Sequence, residues 1–183
     1  MTTIAIIGTA GRVKTKHQFQ TEDLYARMYL NAKLIILTGR DPRDLVLVSG
    51  GAAWADHLVV SLNKATGIET TLHLPAAWDW DKRQFDETSK DGRTANFYHR
   101  QFSQQIGRDS LASLDAALKR DTCKYSISAG FLARNKLVAH SKFIYAYTWA
   151  EGDTPADGGT AHTWNNAPLA IKRHIPLSQF VTR

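Results

Sequence analysis

Leu45-Val46-Leu47-Val48-Ser49-Gly50-Gly51-Ala52-Ala53-Trp54-Ala55-Asp56 is the stretch on which the fold turns. Its first four residues form an unbroken apolar run, the pattern of a strand covered on both faces. Ser49-Gly50-Gly51 breaks the run, and Trp54 to Lys64 reads as a helix stopped by Gly67. A buried strand, a glycine turn and a helix in succession mark one unit of a parallel sheet.

Similar units lie on either side. Thr3 to Ile7 is a β-branched run ending at Gly8. A helix is expected over Glu22–Leu37, with Leu24, Met28, Leu30, Leu34 and Leu37 roughly on one stripe and Thr21 as its cap. Thr70 to Leu74, closed by Pro75, is a third strand. Further on, a helix from about Ser128 to His140 precedes the apolar run Phe143 to Trp149. A helix from about Thr160 and a short strand, Lys172 to Ile175, complete the alternation. Between these units Trp78 to Lys124 is polar and rich in both charges, with helices predicted at Asn96–Ile106 and Leu111–Arg120. It holds too little apolar material for a core of its own. The expectation is one α/β domain over residues 1–183, a Rossmann-like, mainly parallel sheet with helices on both faces and a helical insertion at about 80–124.

Composition narrows the function. The 183 residues, 43% hydrophobic and 22% charged, are those of an ordinary globular chain. No apolar run approaches the roughly 20 residues of a membrane helix, and no basic region precedes Ile4-Ala5 as in a signal peptide. Cys123 is alone, which excludes an internal disulfide and a cysteine metal cage and suits a reducing compartment. A cytoplasmic protein without a membrane partner is expected. The net charge of +6 favours anionic partners, a nucleotide before nucleic acid, although a surplus of solvated lysines gives the same number.

The glycine turns are the candidate sites. Gly8-Thr9-Ala10-Gly11-Arg12 leaves the first strand; its glycines permit close backbone approach, and Arg12 can pair with a phosphate. Neither a full dinucleotide fingerprint nor a P-loop lysine pattern is present. Ser49, Gly50 and Gly51 offer a hydroxyl and amides at the same sheet edge, and Asp56 a carboxylate that equally suits the positive end of its helix. Arg134 and Asn135 sit mid-helix beside Leu132, Leu137 and Val138, where an arginine either reaches a ligand or lies with its stem along the surface. Gly158, Gly159 and Thr160 open the last helix as an anion site would, while Asp157 beside them repels a phosphate unless it turns outward or meets a sugar hydroxyl. Trp78, Trp80, Trp149 and Trp164 lie near strand–loop junctions, where they either stack on a base or pack. His99, Arg100 and His162 are further acid–base or phosphate candidates. The seven histidines show no zinc spacing, so no metal and no cofactor is expected.

Taken in order, Gly8-Thr9-Ala10-Gly11-Arg12, Val48-Ser49-Gly50-Gly51-Ala52-Ala53-Trp54-Ala55-Asp56, Leu74-Pro75-Ala76-Ala77-Trp78-Asp79, Ala133-Arg134-Asn135-Lys136 and Gly158-Gly159-Thr160-Ala161 resemble the SLOG superfamily. The nearest branch is the YspA-like, DUF2493 type; LOG-type phosphoribohydrolases and the DNA-processing protein DprA are relatives. The likeness spans both ends of the chain but not Trp80 to Lys124. It implies a Rossmann-like fold that binds nucleotides or nucleotide-derived ligands at the strand carboxyl ends. In the phosphoribohydrolase branch an arginine and a glutamate serve cleavage of the base–sugar bond. Arg134 matches that arginine; the glutamate's position holds Thr163, with His162 beside it, and the usual second-loop glycine is Trp54.

Three functions are therefore weighed. One is binding of a nucleotide-type ligand with hydrolysis of its N-glycosidic bond, with Arg134, Asp56 and Asp79 as catalytic candidates and Glu87 as a further carboxylate. The second is a non-catalytic sensor or sequestering protein using the same pocket. The third is DprA-like binding of single-stranded DNA through Lys82, Arg83, Lys90, Arg93, Arg100 and Arg108, which are interleaved with Asp81, Asp86, Glu87 and Asp91. The apolar face of Leu111, Leu114 and Leu118 is offered for self-association, so a homo-oligomer is expected.

Overall fold

Every pairing in the central six-stranded sheet is parallel. The structure is a computed structural model that describes residues 1–11, 21–156 and 158–181. Its strands are β1 (Thr2–Gly8), β2 (Leu45–Ser49), β3 (Glu69–Leu74), a small antiparallel hairpin of β4 (Trp78–Asp79) and β5 (Gln84–Phe85), then β6 (Cys123–Ile127), β7 (Phe143–Thr148) and β8 (Ile171–Pro176). The helices are α1 (Glu22–Leu37), α2 (His57–Thr66), α3 (Lys90–Ile106), α4 (Ser110–Leu118), α5 (Phe131–Val138) and α6 (Gly158–Asn165). Sheet order is β6-β3-β2-β1-β7-β8. The chain builds outward from β1 through β2 and β3, then returns to place β7 on β1's other side. This is a Rossmann-like α/β fold with its switch point between β1 and β7.

Alternation along β1 divides the core. Ile4 and Ile6 join Leu24, Met28, Leu47, Leu58, Phe102 and Leu114 on one face. Ala5 and Ile7 join Val48, Val138, Ile144 and Trp164 on the other. Both faces are covered, which is why β1 and β2 read as continuous apolar runs. Thr21 caps α1, its hydroxyl accepting from the Leu24 amide at 3.1 Å. Among the described residues no helix is long and apolar enough to cross a membrane.

Four boundaries differ from expectation. Strand β6 was hidden at the junction between the insertion and the helix read from Ser128; it forms the sheet's edge on β3. Helix α2 begins at His57, because Trp54 takes a left-handed backbone (φ 61°) that no helix accommodates. Helix α3 begins at Lys90, capped by Ser89, whose hydroxyl accepts from the Gly92 amide at 2.9 Å. Helix α5 begins only at Phe131, after Gly130 at φ 92° and ψ 178°. The insertion helices share the main core, and Leu111, Leu114 and Leu118 are buried in it. The face expected to mediate self-association therefore packs against the chain's own α2 and α3.

Candidate functional site

The loops leaving β1, β2 and β7 converge at the carboxyl edge of the sheet around a cleft of about 990 Å³. Gly8, Thr9, Gly51, Gly158, Gly159 and Thr160 all line it, with Asp56, Arg134 and Asn135. Open α/β sheets bind ligands at such a switch point, and the volume is that of a small-molecule site. The second wall comes from the insertion, through Thr94, Ala95 and Tyr98 of α3.

The floor is a charged network that is nearly closed to solvent. The Asp56 carboxylate accepts the Gly50 amide at 3.0 Å, and the nearby Ala52 and Gly8 amides favour its charged form. Arg134 lies 3.8 Å away, its guanidinium donating to the Gly50 carbonyl at 2.9 Å and to Asn135 Oδ1 at 3.0 and 2.8 Å. Asn135 passes the linkage on by donating to the Gly159 carbonyl at 3.1 Å. Burial pushes the Asp56 carboxyl up from its ordinary range, against the opposing pull of Arg134 and the three amides. Burial also works against the Arg134 charge, which Asp56 and Asp91 sustain. Gly50 is required by this packing: a Cβ there would collide with the guanidinium.

The candidates separate accordingly. Gly8, Thr9, Gly51, Asp56, Arg134, Asn135, Gly158, Gly159 and Thr160 are brought together. Ser49 and Gly50 lie beneath the surface; the Ser49 hydroxyl accepts from the Gly51 amide at 3.1 Å. Gly11 sits at φ 85° against Trp54, outside the cleft lining. Asp79 is also outside it, at the end of β4, where its carboxylate takes the Asp81 and Lys82 amides of the hairpin turn and pairs with Lys82 at 3.4 Å. Arg12 and Asp157 lie outside the described residues. Glu87 pairs with Arg100 at 2.9 Å on the outer side of α3. Thr163, where the resemblance places a glutamate, donates to the Gly159 carbonyl at 3.1 Å and helps fix the first turn of α6.

His99, expected as an acid–base or phosphate group, instead has a structural role, and Asp91 gains one that sequence spacing did not reveal. His99 is fully buried, with Nε2 at 3.0 Å from the Gly51 carbonyl and Nδ1 at 3.0 Å from the Ser110 hydroxyl. It ties the insertion to the second glycine turn, and burial holds its pKa down at about 4. Asp91, in the first turn of α3, sets its carboxylate against Gly130, where any Cβ would be crowded. Trp54 is buried between Tyr25 and Phe102, with ring centroids at 6.2 and 4.9 Å, while keeping the backbone conformation of a glycine.

The cations expected for DNA binding are largely answered within the chain. Lys82 pairs with Asp79, Arg100 with Glu87 and Arg108 with Glu22, while Arg93 donates to the Glu87 and Thr88 carbonyls. Among the described residues no cluster of acidic, histidine or cysteine side chains is arranged to hold a metal ion.

Over 184 residues the chain is 35% identical to the uncharacterized protein R261 of Acanthamoeba polyphaga mimivirus, a match covering 97% of each chain. The chain belongs to this mimivirus protein's family. No family model matches the sequence, and no solved structure matches the fold. A match over 97% of this chain takes in the insertion, so α3 and α4 lie within the matched region.

Proposed function

We propose that the protein binds a nucleotide or nucleotide-derived ligand in the cleft at the carboxyl ends of β1, β2 and β7. The observation that carries this is the convergence of three glycine turns on one cavity at the switch point. The first-turn amides of α6 lack intrahelical acceptors by construction, and the helix dipole favours an anion there. Gly159 and Thr160 suit a phosphate at that end. Arg134 is the positioning residue of the floor, since its guanidinium is already engaged by Gly50 and Asn135.

Binding without turnover is the favoured form, a sensor or sequestering protein within a SLOG-like scaffold. Among the described residues the carboxylate that lines the cleft is Asp56, held by the Gly50 amide and facing Arg134. Hydrolysis of an N-glycosidic bond is the second reading, because Asp56 places a carboxylate in the cleft lining and an oxocarbenium-like sugar needs a negative charge nearby.

Calorimetric titration with AMP and CMP tests binding, and chromatography of the same mixtures for released base tests turnover. Saturable binding with no free base is expected. Absence of binding at millimolar nucleotide would refute the proposal, and steady release of base abolished by Asp56→Asn would establish the hydrolase.

A further inference from the structure

The cleft is not polar throughout. Tyr98 of the insertion helix and Phe131 at the start of α5 line the same cleft as the α6 turn, with Trp149 beyond β7. All three are only partly buried, so each ring retains accessible surface. Among the described residues the Tyr98 and Phe131 rings do not stack on one another; Tyr98 meets the ring of Phe97 edge-on at 5.4 Å, and Phe131 lies under the Arg134 guanidinium at 5.3 Å.

The Tyr98 wall is held in fixed register with the floor. One residue along, His99 engages the Gly51 carbonyl at 3.0 Å, and Phe102, a turn further, is fully buried against Trp54 at 4.9 Å. At the helix start Asp91 abuts Gly130, the residue before α5. α3 is thus pinned to both the second glycine turn and the Phe131 helix. A side chain on the cleft face between those pins has little freedom to withdraw.

Resting on the nucleotide proposal above, we infer that Tyr98 of the insertion is the specificity-determining residue that receives the planar base of the ligand, with the phosphate directed to the α6 turn. A partly exposed aromatic ring on a rigid helix is a stacking platform at low entropic cost. The sugar then faces the floor, where Asp56 and Thr9 line the cleft.

The test is calorimetric titration of wild type, Tyr98→Ala and Tyr98→Phe with AMP and with ribose 5-phosphate, which shares the sugar and phosphate but lacks the base. Tyr98→Ala should weaken AMP by about tenfold or more, Tyr98→Phe should bind AMP as wild type does, and ribose 5-phosphate should bind all three alike. Equal AMP affinity in wild type and Tyr98→Ala overturns the assignment and leaves nucleotide binding standing. So does equal weakening of AMP and ribose 5-phosphate, which marks a structural effect. Failure of wild type to bind either compound overturns nucleotide binding and the Tyr98 assignment together.

Discussion

Replacing Arg134 by methionine keeps most of the buried stem and removes the guanidinium from the cleft floor. Three hydrogen bonds are lost, one to the Gly50 carbonyl at 2.9 Å and two to Asn135 Oδ1 at 3.0 and 2.8 Å. The Asp56 carboxylate, 6% exposed, also loses its cation at 3.8 Å. Breaking a buried pair by removing one partner costs about 3–5 kcal/mol. The long separation and the Gly50 amide that still holds Asp56 put the expected loss at the lower end, about 3 kcal/mol. For a chain of this size that lowers Tm by roughly 6–12 °C. Urea and thermal unfolding followed by circular dichroism measure it. Adding Asp56→Asn to Arg134→Met should recover about 1–2 kcal/mol, because no uncompensated charge then remains buried. A loss below about 1 kcal/mol, or a double variant less stable than Arg134→Met alone, would refute the account of the floor.

Other outcomes follow from the same contacts. His99 is buried with its pKa at about 4 against an ordinary 6.5, so the unfolded chain binds the extra proton; the associated stability, about 3 kcal/mol at most, is complete above pH 6.5 and lost as pH falls through 4. Unfolding measured from pH 7 to pH 4 should show that loss, and His99→Gln should reduce it while buried His57, whose pKa burial also lowers, keeps part of the slope; an unchanged slope would refute it. Gly50→Ala should destabilise by about 1–3 kcal/mol, since the new methyl meets the Arg134 guanidinium; thermal melts that match wild type would contradict this. With most of the insertion's cations internally engaged, fluorescence anisotropy should detect no binding of single-stranded DNA at about 0.15 M salt; tight binding that weakens steeply with salt would reverse the ranking of functions.

Much of the scaffold was legible because both faces of the central sheet are covered. Leu45 to Val48 and Phe143 to Trp149 had to be apolar throughout, and the turns that end them had to contain small residues where loop meets floor. The edge was not legible in the same way. Cys123 to Ile127 pairs on one side only, and its Tyr125 and Ile127 are exposed, so it lacks the density of a central strand. The glycine turns announced a cleft but not its contents. No spacing rule reveals that Asp56 turns back onto the amides of Gly8, Gly50 and Ala52, or that Arg134 folds onto its own neighbour Asn135. Tyr98, and the structural part played by His99, were obscured because both come from a polar insertion whose apolar positions suffice to dock a helix but not to form a core. Trp54 broke a helix pattern through its backbone, which a side-chain periodicity cannot register.

The inward-turned Asp56 leaves the floor of the cleft close to electroneutral. Its charge faces the Arg134 guanidinium at 3.8 Å, and that guanidinium is itself occupied by the Gly50 carbonyl and Asn135. A visitor therefore meets a floor whose strongest donors are already spoken for. On the nucleotide proposal, the free amides at the α6 rim are what remains to receive a phosphate.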